Sequence, residues 1–198
     1  MIATNLRNPG GNIIGVQTIG SIEKALEWHT LALPTVKKIL VPYNQSDMSA
    51  SGGLEDLEKA AEKLGITLVT RRVESPAELR AVFANIPPGT GAIWLVPSNF
   101  LDSHYQLFVE ASKTHKLPVA TSTAVFSSIN PFLSYSPDLE AMGKQASRIV
   151  GKILKGIHPG DIPIEQAEFF LKINMAVAHE LGIAVPEEIL RQADAIIR

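Results

Sequence analysis

KILVPYNQSDMSASGGLEDLEKAAEKLGITLVTRR, Lys38 to Arg72, carries the pattern that decides the fold class. Its first part, Lys38 to Asn44, reads as a short buried strand with a polar tip. Leu54, Leu57, Ala61 and Leu64 then recur at helical spacing over Ser51 to Gly65, and Gly65 is a natural C-terminal stop. Ile66 to Arg72 is a strand again. A strand, a helix and a second strand with short connections form a crossover, which is what a parallel strand pair requires.

The same rhythm continues downstream. Ser75-Pro76-Ala77-Glu78 is a capping box with Pro at the first helical position, and it opens a helix to about Ile86. Gly91 to Val96 predicts a third strand, about Ser103 to His115 a helix, and Leu117 to Ser122 a fourth strand. Strands apolar on both faces fit a sheet covered on both sides, so the class is α/β with a doubly wound parallel sheet. After Thr123 the rhythm breaks. Phe132 to Tyr135 is short and extended, and a long helix over Asp138 to Lys155 is stopped by Gly156. A Gly/Pro-rich connector over Leu154 to Pro163 leads to a strand candidate, Gln166 to Ile173. Asn174 caps a helix ending at Gly182, and Pro186 begins a last helix.

Composition narrows the function. A chain of 198 residues that is 45% hydrophobic can bury a real core. Net charge is −2 and there is no basic stripe, which argues against a nucleic-acid partner. Zero Cys excludes disulfides and thiolate metal sites. No segment is long and apolar enough for a bilayer span, and MIATNLRNPGG has no apolar run, so no signal peptide is expected in this chain.

Two strands end alike, in Val41-Pro42-Tyr43-Asn44 and Val96-Pro97-Ser98-Asn99, and the fourth ends in Thr121-Ser122-Thr123. The carboxyl ends of strands in an open parallel sheet face the ligand crevice. Asn, Ser and Thr there offer neutral donors and acceptors, and Tyr43 adds a stacking face. Such residues also simply turn chains; three similar tips together favour a binding rim made of Tyr43, Asn44, Ser98, Asn99, Ser122 and Thr123. No catalytic constellation emerges. Gly15 to Ser21 has the glycine spacing of a phosphate loop but Ser21 where Lys is needed. His29, His104, His115, His158 and His179 follow no metal pattern, so neither a metal nor a cofactor is expected.

Several motifs carry a family resemblance: NPGGN at Asn8 to Asn12, Tyr43-Asn44, Leu133-Ser134-Tyr135, the KILKG-x-x-PGDIP connector from Lys152, and the ending from Asn174 through LGI and VP to Ala193-Asp194. Over about Asn5 to Ile197 the chain resembles the substrate-binding proteins of ABC transporters, in their uncharacterised and tryptophan-type group of the type I periplasmic-binding fold. Two positions depart from the family pattern. Ile14 replaces a usual Thr, and Asn130-Pro131 stand where a glycine is usual.

The resemblance implies a type I periplasmic-binding-protein-like lobe plus a partial second lobe, with most of the first lobe missing. Residues 1–21 would be an inter-lobe crossing, 22–123 the C-terminal-type α/β lobe, 124–165 a hinge with part of the first lobe, and 166–198 the final crossing and closing helices. It implies a non-enzymatic solute-binding component of an ABC importer, holding a small molecule, aromatic amino acids favoured, in an inter-lobe cleft. The full-length parent would be periplasmic or extracytoplasmic and would meet an ABC permease. A ligand-sensing domain of a regulator is the alternative. The stripe Ile149, Val150, Ile153 and Leu154 on the 138–155 helix would need a partner: a second copy as a homodimer, the core lobe, or a separate chain.

Overall fold

The structure is a computed structural model that describes residues 5–18, 21–123 and 130–198. In chain order its elements begin with β1 (Val16–Gln17), α1 (Ser21–Ala32), β2 (Lys38–Tyr43), α2 (Met48–Leu64), β3 (Thr67–Arg72) and α3 (Pro76–Ala84). Next come β4 (Ala92–Leu95), α4 (Asn99–Ser103), α5 (Tyr105–His115), β5 (Val119–Thr121) and β6 (Leu133–Pro137). The rest are α6 (Leu139–Leu154), a 3-10 turn at Pro159–Asp161, β7 (Glu165–Gln166), β8 (Phe169–Asn174), α7 (Met175–Leu181), α8 (Glu187–Leu190) and β9 (Ala195–Ile197). They fall into two compact units, Met1–Gly20 with Pro137–Phe169, and Ser21–Ser136 with Phe170–Arg198.

The larger unit holds a seven-stranded sheet in the order β3-β2-β4-β5-β6-β8-β9. The pairs from β3 through β6 are parallel, as is β8 with β9. Asn174, the last residue of β8, donates its N–H to Phe132 O, just ahead of β6. The end of β8 therefore lies beside the start of β6, and β8 and β9 run against the other strands. The central strands are apolar on both faces: Ile39, Leu40, Val41 and all four residues of β4 are fully buried, as sequence periodicity implies for a sheet covered on both sides.

Local chemistry explains the helices. Asp47 caps α2 by accepting from Ser49 N–H, and Gly65, at φ 66°, closes it in the left-handed conformation. Ala50, Leu54, Leu57, Ala60 and Ala61 form its buried stripe. Ser75 caps α3 through Glu78 N–H, while the Glu78 carboxylate reaches back to Glu74 N–H.

Four details differ from the sequence reading. The helix expected from Ser103 begins earlier, at Asn99, and is broken at His104, which ends α4 and precedes α5. The strand expected over Gln166 to Ile173 is two pieces, β7 and β8, in different sheets. The last helix is one turn, α8, followed by a strand whose Ala-Ile-Ile is too short to show a period. The helix α1 was not among the elements read from the sequence.

The smaller unit pairs β1 with β7 in a two-stranded parallel sheet beside α6. The NPGG turn meets the PGD turn here. Gly10, at φ 71°, donates its N–H to Gly160 O at 3.1 Å. A Cβ on Gly160 would fall 2.7 Å from Gly11 O, so this close backbone approach requires glycine.

Candidate functional site

Pro42 shapes the crevice. Lys37 O accepts from Thr67 N–H on the β3 side, and Lys38 O from Gly91 N–H on the β4 side. Backbone groups alternate along a strand, so residue 42 faces β4, where proline has no N–H to give. The β2–β4 ladder indeed stops at Leu40↔Ile93, while β2 stays with β3 as far as Tyr43↔Arg72. The chain also leaves β2 to one side for β3 and returns on the other for β4, which makes the gap between β2 and β4 the topological switch point.

The six candidate residues stand at the carboxyl ends of β2, β4 and β5, on this one edge of the sheet. Their side chains are used differently. Asn44 is buried; its amide donates to Val73 O at 3.1 Å and its Oδ1 accepts from Ser46 N–H at 2.9 Å, so it builds the turn after β2. Ser98 is buried and caps α4 through Leu101 N–H, while its hydroxyl donates to Asp47 Oδ2 at 2.9 Å. Asn99 donates its backbone N–H to the same oxygen at 3.0 Å and keeps its side chain exposed. Tyr43 is half-buried against the core. Ser122 is only 4% exposed, and its hydroxyl has no hydrogen-bond partner. The Thr121 hydroxyl donates to Leu95 O at 3.0 Å, so in its 3.0 Å contact with Thr123 the Thr123 hydroxyl is the donor. Thr123 keeps its acceptor lone pairs for another group.

Asp47 was not among the sequence candidates, yet it ties the β2 tip to the β4 tip. Burial pushes its carboxyl up, but the bonds from Ser98 and from the N–H groups of Ser49, Ala50 and Asn99 outweigh that and hold it below the usual range. The signal available in sequence was an Asp three residues after a strand tip and directly before a helical run. Gly53 on α2 approaches the same region, since a Cβ there would lie 2.9 Å from Pro97 Cδ. Asp102 in α4 is pushed up to about 6, by burial first and by the Asp47 charge second. One of its oxygens is buried without a partner.

Among the described residues, no group of three or more His, Asp or Glu could hold a metal ion. A cavity of about 530 Å³ opens between α5 and α7, lined by Val119, Phe132 and Asn174 among others. Those residues mark the starts of β5 and β6 and the end of β8, so this cavity belongs to the opposite edge of the sheet.

Solved structures share this fold. A conserved domain protein of Vibrio cholerae O1 biovar El Tor is 28% identical, with a TM-score of 0.84 over 98% of this chain and 66% of its own. The ABC domain of Streptococcus pneumoniae solved in complex with L-Trp is 26% identical, with a TM-score of 0.82 over 98% of this chain and 68% of its own. A tyrosine-binding protein of Clostridioides difficile (strain R20291) is 24% identical over 163 residues, 82% of this chain. The chain spans about half of that relative's length, 47%. The family is one of substrate binding proteins, not of enzymes, and the Clostridioides relative is a tyrosine-binding protein. The family model of ABC transporter substrate binding proteins matches residues 1–197, and the chain belongs to that family.

Proposed function

We propose that this chain is the solute-binding component of an ABC importer, and that it takes a small zwitterion, an aromatic amino acid favoured, at the carboxyl ends of β2, β4 and β5. The observation that carries the reading is Ser122: a buried, unpartnered hydroxyl at the strand-tip edge, beside a switch point held open by Pro42. Tyr43 supplies a face for an aromatic side chain. The Asn99 amide, the Ser122 hydroxyl and the Thr123 lone pairs receive the ammonium and carboxylate, while Asn44 and Ser98 hold the loops that present them. Neutral groups suit a zwitterion, because no unpaired protein charge is buried when it binds. The relatives' ligands, L-Trp and tyrosine, support the aromatic preference.

In this reading the tips form one wall of an inter-lobe cleft. Residues 22–123 are the ligand-bearing lobe, 1–21 and 166–198 crossing and closing segments, and 124–165 a hinge with part of the other lobe. The protein works outside the cytoplasm with a permease, and the 138–155 helix meets a second copy.

The test is an amide-resolved NMR titration with L-Trp, L-Tyr and L-Leu. Resonances near Tyr43, Asn99 and Ser122 should move with the two aromatic ligands, and Ser122→Ala should weaken binding about tenfold, the scale of one hydrogen bond to a charged group. Shifts confined to the 530 Å³ cavity, or none at millimolar ligand, would overturn the reading.

A further inference from the structure

The strands that flank the switch point part before they reach their tips. The β2–β4 ladder ends at Leu40↔Ile93 and the β4–β5 ladder at Leu95↔Thr121. Beyond these pairs come Pro42 and Pro97, neither of which has an N–H to give. Among the described residues, the hydrogen bonds that leave Pro97, Ser98 and Asn99 for another element end on one carboxylate, that of Asp47.

The two oxygens of that carboxylate have separate tasks. Oδ1 accepts from Ser49 N–H at 2.9 Å and caps α2. Oδ2 accepts from the Ser98 hydroxyl at 2.9 Å and from Asn99 N–H at 3.0 Å. A helix cap needs only the first oxygen; the second does nothing for α2. Asp47 is also fixed to the exit of β2. Its N–H donates to Asn44 O at 3.3 Å, and the Asn44 side-chain amide donates to Val73 O at 3.1 Å, just past β3. A path of hydrogen bonds therefore runs from the end of β3, past the β2 tip, to the β4 tip, over the gap where the ladder has stopped. Helix α2 meets the β4 tip a second time through Gly53. A Cβ there would lie 2.9 Å from Pro97 Cδ and 3.5 Å from Pro97 Cγ, so the helix rests on the proline ring where only glycine fits.

We infer that Asp47 is the positioning residue of this rim: its Oδ2 locks the β4 tip onto α2 and so holds the Asn99 side chain where an amino acid entering the crevice meets it. That role rests on the reading of the strand tips as the ligand wall, and adds what fixes their spacing. An ionised acceptor suits the task, because charge-assisted bonds are shorter and roughly twice as strong as neutral ones. A loop held in its bound geometry before the ligand arrives spares the cost of ordering it on binding. Asp47 needs no contact with the ligand to act in this way.

Two variants separate the clasp from the cap. Asp47→Ser keeps a good N-cap, but one hydroxyl cannot serve both α2 and the β4 tip. Asp47→Asn keeps the shape and the cap but turns an NH2 group toward the Asn99 N–H. In both, amide exchange without ligand should quicken about tenfold at Asn99, the scale of one hydrogen bond to a charged group, and stay unchanged at Leu54 and Leu57 of α2. In the unsubstituted protein the Asn99 amide resonance should follow the titration of Asp47, with a midpoint below 3.8, and Asp47→Ser should abolish that response. By calorimetry L-Trp should bind about tenfold more weakly to both variants. Gly53→Ala leaves the carboxylate alone and favours the helix, yet it should also weaken L-Trp by displacing Pro97. Unchanged exchange at Asn99 would overturn the clasp. Quickened exchange with undiminished L-Trp affinity would overturn the positioning role. An unsubstituted protein that ignores L-Trp and L-Tyr would overturn the ligand reading and the positioning role with it, while the exchange still decides the clasp.

Discussion

His29 is fully buried, edge-on to Trp94 with ring centroids 6.1 Å apart, and neither of its ring nitrogens has a hydrogen-bond partner. Burial lowers its pKa from 6.5 to about 4, so the folded protein holds the imidazole neutral. The stability this confers is complete above the unfolded value of 6.5 and is lost as pH falls from there toward 4. Denaturant titrations at falling pH should show a loss of about 1 kcal/mol per pH unit in that window that His29→Leu lacks; equal slopes would refute it. Asp102 has the opposite sign. Its raised value favours the folded state only below 3.8, and that advantage disappears as pH rises through about 6. Asp102→Asn should therefore stabilise the protein at pH 7.5, by about 1 kcal/mol after allowing for the group's exposure, with the gain vanishing below pH 4. Thermal melts of both proteins at the two pH values check this.

At the scale of elements, legibility followed signal length. The six-residue β2, apolar after Lys38, and the seventeen-residue α2, with its apolar repeat and terminal Gly65, were readable because each spans more than one period. The caps at Ser75 and Asn174 were readable because capping is local chemistry; Asp138, read as the first residue of its helix, is in fact its cap. Two-residue β1 and three-residue β9 have no period to read, and tertiary pairing alone defines them. The candidate site was legible as a set of strand tips. Which tips carry free groups was not, because Asn44 and Ser98 are spent on partners distant in sequence, Val73 and Asp47. The clasp between the NPGG and PGD turns belongs to this scale too. Gly160→Ala puts a methyl group into the Gly10–Gly11 backbone and should cost about 1–3 kcal/mol. Hydrogen exchange should quicken at Gly10 and at the β1–β7 pair and stay unchanged in β2 and β4; protection unchanged at Gly10 would contradict the clasp.

At the scale of the whole molecule, each unit is assembled from two separate stretches of chain, and the larger sheet receives its last two strands only after the excursion of Pro137–Phe169. During synthesis the amino-terminal elements are made first. Strands β2 to β6 can pair as their helices form, each by a local crossover. The far edge of β6, where Asn174 later bonds to Phe132 O, must wait for residues 170–198. Phe132 and Leu133, both fully buried at the end, flank that waiting edge. The nascent chain therefore carries a temporarily open, sticky strand for the time a ribosome takes to add about forty residues, a few seconds at ordinary elongation rates. An unpaired strand edge is a template for wrong partners. The order in which this sheet closes makes holdase chaperones, or slow synthesis at low temperature, a determinant of how much of the protein reaches its native state.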